Sequence, residues 1–478
     1  MPKPSDKATK EAIVVGASMT GLLAARTLAG HFDKVTLLER DIFPVPGTNR
    51  KGVPQGKHTH ILLELGRNIM ERYLPGLTDE LTRLGAIRIK DASLNVRWFH
   101  SGGYHQPGPS GLSGVGVSRP TLEAAVRARV LSLSNVHARE DCNVLELQTT
   151  ADKSRVTGVL LVDRGAGGIK ESVAADLVVD ASGRGSRSPA WLESLGYDRP
   201  DEEEVEIGMG YTTCYFRRQP EHLAGINGIV FLATPPDKRL GVMLAQDGDR
   251  WVVTLGGYLG DHTPADQEEF IASARNLPAP HIYNVIKDAE PLGEPVAYKF
   301  PANLRRHYDK LSRFPQGYLV IGDVLCSFNP IYGQGMTVAA MEAEALGKCL
   351  ANDQEQLAEC FFNRASKIID VSWSAAVGND LGYTQVEGQR TLMIRFLNWY
   401  LGKLHIAAQK DAQVSIAFLK VINMVAPPPS MIHPRIVWRV TKGNLWPNRQ
   451  KIGANEEQRF CQPDRFRQTN NERKILNE

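Results

Sequence analysis

The stretch Ala12–Arg40 constrains this 478-residue chain more than any other. Ile13, Val14 and Val15 form a short apolar run suited to a buried parallel strand. Gly16-Ala17-Ser18-Met19-Thr20-Gly21 follows, then Leu22, Leu23, Ala25 and Leu28 at helical spacing, with Gly30 as a stop. Val35–Leu38 reads as a second strand ending in Glu39 and Arg40. The spacing is that of a βαβ unit with a Gly-x-Ser-x-x-Gly turn. Gly16 permits the tight turn, Gly21 permits close helix–strand packing, and the free N–H groups of the helix start suit a pyrophosphate. Glu39 is placed to accept from an adenosine ribose hydroxyl. Ser18 stands where a second glycine is usual, so its hydroxyl shares space with the phosphate.

Length implies two or three interlocked domains. A net charge of +3 argues against a dedicated nucleic-acid binder. Six scattered cysteines with no Cys-x-x-Cys pair point to a reducing compartment, the cytoplasm, with neither a disulfide frame nor a zinc site. No stretch fits a signal peptide or a transmembrane span.

Further along, Asn49–Leu62 places Arg50-Lys51-Gly52-Val53-Pro54-Gln55 before an apolar helix expected to start near Ile61. Glycine, proline and cations in a loop can lie against a large anionic cofactor. His58 and His60 have no nearby carboxylate or thiol partner and read as structural. Tyr104–Gly116 reads as a long surface loop, and Ser118-Arg119-Pro120 opens a helix. Val144–Leu147 and Val156–Val162 read as a strand hairpin, and Leu177–Asp180 as a buried strand entering the turn Ala181-Ser182-Gly183-Arg184-Gly185-Ser186. Asp198–Glu206 reads as an acidic break and a domain boundary. From Ile207 to Tyr258 the period becomes two, as in an antiparallel sheet. Tyr211, Tyr215, Phe231, Met243 and Tyr332 are the expected lining of an apolar substrate pocket. Leu319–Asp323 is another buried strand, running into Asn329-Pro330-Ile331-Tyr332-Gly333-Gln334-Gly335-Met336-Thr337 and a long helix. An Asp at a strand end can hold sugar-like hydroxyls, and glycines let a helix start approach a ligand. Residues 390–425 are amphipathic; they read as helices packed across the substrate domain, with a membrane-surface or partner face as the alternative. The tail after Trp446 is polar.

Three of these motifs, at these separations, resemble the single-component FAD monooxygenases of group A, with the para-hydroxybenzoate hydroxylase-like fold. Arg50–Gln55, Asp180–Ser186 and Asn329–Met336 are most similar to the bacterial polyether epoxidases of the lasalocid and monensin type. The resemblance implies an α/β fold in which an FAD-binding Rossmann-like βαβ domain (1–200 and 300–375) interleaves with an antiparallel-sheet substrate domain (201–299). C-terminal helices (376–446) and a polar tail (447–478) follow. It assigns to FAD Gly16, Ala17, Ser18, Thr20, Gly21, Glu39, Arg40, Arg50, Lys51, Gly52, Val53, Arg119, Val144, Asp180, Gly183, Arg184, Asp323, Pro330, Gly333, Gly335, Met336 and Thr337.

The implied activity is oxygen transfer from O2, with NAD(P)H as reductant, to a large apolar natural product such as a polyketide polyene, through a flavin C4a-hydroperoxide. The flavin would do the chemistry without a catalytic side chain, in a monomer or homodimer. One departure is Ser182, where the family motif carries Asp in Ala-Asp-Gly; here Asp180 lies two residues earlier. Two related uses of the fold stay open: a reductase of prenyl-chain double bonds, and a non-redox cyclase with FAD as scaffold.

Overall fold

The computed structural model describes residues 9–352 and 356–445. Four sheets organise it. The first is parallel, in the order Tyr318–Val320, Leu177–Asp180, Glu11–Val15, Lys34–Leu38, Val136–Arg139. Apart from the edge strand Val136–Arg139, its strands are mostly buried and apolar, as parallel sheets require. Met19–Leu28 packs against both Arg119–Leu131 and Gly335–Leu350.

The largest sheet has eight strands, in the order Cys326–Ser327, Val296–Arg306, Glu202–Arg217, Arg250–Gly257, Arg239–Gln246, Gly228–Phe231, Val96–His100, Gly103–Tyr104. One of its faces packs on Phe216, Phe231, Met243, Trp251 and Phe270, a core of its own. A three-stranded meander, whose strands include Cys142–Thr149 and Val156–Asp163, and a two-stranded ribbon complete the β structure. The C-terminal helices Leu392–Ala408, Ala412–Ile422 and Pro434–Leu445 enclose a third core of Leu112, Tyr400, Leu404, Phe418, Leu419 and Val440.

Four expectations need correction. The acidic break is strand from Glu202, because Glu202 and Glu203 register opposite Arg306 and Arg305. The apolar helix after the Arg50 loop starts at Glu64, with His58–Leu63 running in extended or irregular form before it. The 104–116 loop is partly internal: His105 and Leu112 are buried because the C-terminal helices dock on it, and Gln106 N–H donates to Ala408 C=O (2.7 Å). Cys349 and Cys360, 11 residues apart, form a disulfide where two consecutive helices turn back on each other. Cys142, Cys214 and Cys326 are free and buried. The polar tail lies outside the described residues.

Candidate functional site

The parallel sheet and the large sheet meet around a cavity of about 570 Å³. One wall is the turn after the first strand. Gly16 has φ +98°, and a Cβ there would sit 2.7 Å from Ala181 O, so only glycine lets the two strand-end turns meet. Gly21 packs on Gly16 O so closely that a Cβ would fall 1.8 Å away, which puts the helix start against the turn. Ala17 N–H donates to Glu39 Oε2 (2.8 Å). The Glu39 carboxylate is thus tied to the turn as well as facing the cavity.

Behind Ser18 lies a buried cluster. Arg50 pairs with Glu39 (2.5 Å) and Glu123 (3.3 Å), Arg119 pairs with Glu123 (3.1 Å) and donates to Ser18 Oγ (3.0 Å), and Arg127 stands 3.7 Å from Glu123. Glu140 also acts on Arg127 and Asp323 faces Arg119, so cations and carboxylates are close to balance around the cluster, while Arg50 Nε has no hydrogen-bond partner among the described residues. Guanidinium N–H groups beside a helix N-terminus favour an anion.

The middle of the cavity is formed by Gly183, Arg184, Asp323, Pro330, Gly333, Gly335 and Met336. A Cβ built at Gly183, Gly185 or Gly335 would meet nothing within 4 Å, so these glycines leave a bare backbone edge open to a ligand. Thr20 props the turn beneath Asp323: a Cβ at Gly322, where φ is +72°, would collide with the Thr20 side chain at 2.6 Å. Asp323 is enclosed by protein and yet exposed within the cavity. Its carboxyl is pushed above the ordinary range by desolvation, while Arg119 and Arg184 pull it back. Arg184 reaches Ala302 C=O (2.7 Å) and lies over the Phe300 ring.

The far end carries Tyr211, Tyr298, Phe300, Leu240, Val242, Thr254, His58 and His60. His58 shares a hydrogen bond with Thr213 Oγ1 (2.9 Å), which continues to Thr254 and Thr59. Burial, and then Lys57, lower the His58 pKa to about 4; burial, and then Arg119, lower that of His60 to about 3. Both rings are neutral at pH 7. Among the described residues, no group of three or more His, Cys, Asp or Glu is placed to hold a metal.

Of the residues expected at the site, Gly16, Ser18, Thr20, Glu39, Arg40, Arg50, Gly52, Val53, Arg119, Val144, Gly183, Arg184, Tyr211, Asp323, Pro330, Gly333, Gly335 and Met336 line this one cavity. The others are elsewhere. Ala17 and Gly21 shape the turn from behind, and Lys51 points outward. Asp180 is wholly buried, accepting from Ser182 N–H (2.8 Å), Ser186 Oγ (2.5 Å) and Ser188 Oγ; it braces the turn from beneath. Thr337 is buried against Gly66. Phe231 and Met243 lie in the core on the opposite face of the large sheet. Tyr215 donates to Lys57 C=O (3.1 Å) under Arg250, beyond the cavity end. Tyr332 turns away to Asp380 (2.9 Å) and Asn379 (2.7 Å). Sequence reasoning missed Tyr298 and Phe300 as lining residues, and gave His58 and His60 no role at the cavity.

No family model matches the chain. Over 346 residues it is 38% identical to Protein Rv3254 of Mycobacterium tuberculosis, covering 71% of this chain and 72% of that protein. The chain therefore belongs to the family of Protein Rv3254. Among solved structures, the flavin-dependent brominase Bmp2 superposes with TM-score 0.63 at 15% identity, over 91% of this chain and 98% of its own. The p-nitrophenol 4-monooxygenase PnpA of Pseudomonas putida superposes with TM-score 0.60 at 14% identity, over 88% and 99%. The fold is that of the FAD-dependent monooxygenases.

Proposed function

We propose that the chain is an FAD- and NAD(P)H-dependent monooxygenase of a large, mostly apolar substrate, an epoxidase or hydroxylase of the polyether-epoxidase kind. One observation carries this reading. A single cavity runs from a glycine turn backed by guanidiniums, past an enclosed carboxylate and an open helix start, to an aromatic end. The residues present fit FAD. Ser18, Arg119 and the N–H groups after Ala17 would hold the pyrophosphate, Glu39 the adenosine ribose, and Asp323 the ribityl hydroxyls.

FAD, once reduced by NAD(P)H, would supply the activation of O2. The rest falls to the protein. The helix start at Gly335 and Met336 favours negative charge on a neighbouring ring system. Tyr211, Tyr298, Phe300, Leu240 and Val242 would bind the substrate and exclude water. Neutral His58, held by Thr213, can donate or accept one hydrogen bond at that end.

The test is purification followed by denaturation, which should release FAD, and then turnover of a polyene with NADPH under labelled O2. One labelled atom in the product is expected. Product formed without O2 or NADPH at an unchanged rate would identify a cyclase, and product gaining two hydrogens a reductase. A protein that neither carries nor takes up FAD would end the reading.

A further inference from the structure

The first two turns of the helix Leu392–Ala408 stand out from the body of the protein. Leu392 is 83% exposed, Met393 63%, Phe396 49% and Trp399 59%. Pro434–Leu445, packed against the same helix, adds Trp438 at 61% and Leu445 at 70%. Large apolar side chains at i, i+4 and i+7, with tryptophans among them, are the composition of a helix lying at a water–hydrocarbon boundary. Scattered exposed apolar residues need no explanation, but a grouped face of this size does.

Charge decides what covers it. Residues 391–445 hold seven Lys and Arg against one acid, Asp411, a net +6 in a chain whose total is +3. Arg395, Arg435 and Lys442 are exposed beside the apolar residues, and Lys442 lies over the Trp438 ring at 5.2 Å. A second copy on this face would bring like charge to like. Residues 446–478 carry a net +2 and offer no complement either. A surface that is apolar within and anionic at its headgroups complements both features.

We propose that this face docks on an anionic phospholipid bilayer. The helix is also tied to the cavity wall: Asn398 Nδ2 donates to Gly378 C=O (2.8 Å), and the neighbouring Asn379 donates to Tyr332 Oη (2.7 Å), between Ile331 and Gly333 of the lining. Docking thus brings the wall of the candidate site close to the lipid phase. The proposal stands whether or not the cavity holds FAD.

The test is co-sedimentation of the full chain with vesicles of phosphatidylcholine alone and of phosphatidylcholine with phosphatidylglycerol. Partitioning should be about tenfold or more stronger on the anionic vesicles and fall in high salt. Phe396→Ser with Trp399→Ser and Trp438→Ser should weaken it by about tenfold or more on either vesicle. These side chains are exposed, so the melting temperature should hold. Arg395→Gln with Arg435→Gln and Lys442→Gln should remove only the phosphatidylglycerol-dependent part. Wild-type protein that ignores anionic vesicles, or binding unchanged in both variants, overturns the proposal. So does a concentration-dependent dimer that the aromatic variant makes monomeric, which would assign the face to a second copy.

Discussion

Two buried polar clusters meet the same desolvation problem in different ways. Beside the Gly16 turn, Glu39, Arg50, Arg119, Glu123 and Arg127 are buried together as salt-bridged partners. Beneath the C-terminal helices, His100 and His405 stack with ring centroids 3.6 Å apart, and His105 Nε2 shares a hydrogen bond with His405 Nδ1 (3.1 Å). Burial lowers the pKa of His100 to about 4 and of His105 to about 3, and takes His405 well below its ordinary value. One cluster keeps its charge and balances it with carboxylates of opposite sign. The other gives its charge up, and so becomes a seam that protons can open.

The strongest way to break the comparison is Glu123→Gln. It removes the carboxylate that Arg50, Arg119 and Arg127 share, and should cost about 3–5 kcal/mol in urea unfolding at pH 7. A loss under about 1 kcal/mol would mean the cluster does not act as a unit.

Next comes a pair of aspartates. Asp323→Ala should weaken FAD binding by about 1.5–3 kcal/mol in a fluorescence titration, with little change in melting temperature. Asp180→Ala should do the reverse, because it strips the acceptor from Ser182, Ser186 and Ser188 while touching no cavity surface.

Acidification sharpens the contrast. The three histidines have folded pKa values below the ordinary 6.5, so their neutral packing is fully stabilising above pH 6.5. As pH falls below that, the unfolded chain takes up protons first. Stability should drop by at most about 1.4 kcal/mol per pH unit for each histidine. Intrinsic tryptophan fluorescence, to which Trp98 packed on Phe418 beside His405 contributes, should change between pH 7 and 5 as the helices loosen, and His405→Phe should flatten that slope.

The smallest effect has the opposite sign. Burial holds Glu342 up to about 8, against an ordinary 4.5, while Gly322 N–H donates to it (2.7 Å). Here stability falls as pH rises from 4.5 towards 8. Glu342→Gln keeps an acceptor for Gly322 and should gain on the order of 1 kcal/mol over wild type as pH goes from 7 to 8 in thermal melts.

The nucleotide half of the fold was legible because its signals are local. An apolar run, a glycine turn and a strand-end acid within 30 residues leave few alternatives. The substrate end was less so. On Arg239–Gln246, Leu240 and Val242 face the cavity while Met243 faces the other core, and a period-two pattern apolar on both sides cannot say which set points where. Asp180 and Asp323 both end buried strands, and sequence does not tell which carboxylate turns up to a ligand and which turns down to brace its own loop. Tyr298 and Phe300 sit on a strand whose register with Glu202–Arg217 is set by pairing across some 90 residues. The Cys349–Cys360 bond depends on how two helices turn, and spacing alone does not reveal it.

The order of the parallel sheet has a consequence for how the protein is made. Glu11–Val15 is flanked by Leu177–Asp180, and that strand in turn by Tyr318–Val320, so neighbours in space emerge from the ribosome far apart in time. The Gly16 turn is synthesised at the start, the Gly183 edge about two-fifths of the way through, and Asp323 with the Gly335 helix start about two-thirds of the way through. No nascent chain shorter than that can close the cavity. High sequence separation of this kind slows assembly and leaves apolar strands waiting for partners. A dinucleotide that binds only the closed cavity would draw the late equilibrium towards the finished fold, so cofactor supply would set how much of the newly made chain survives.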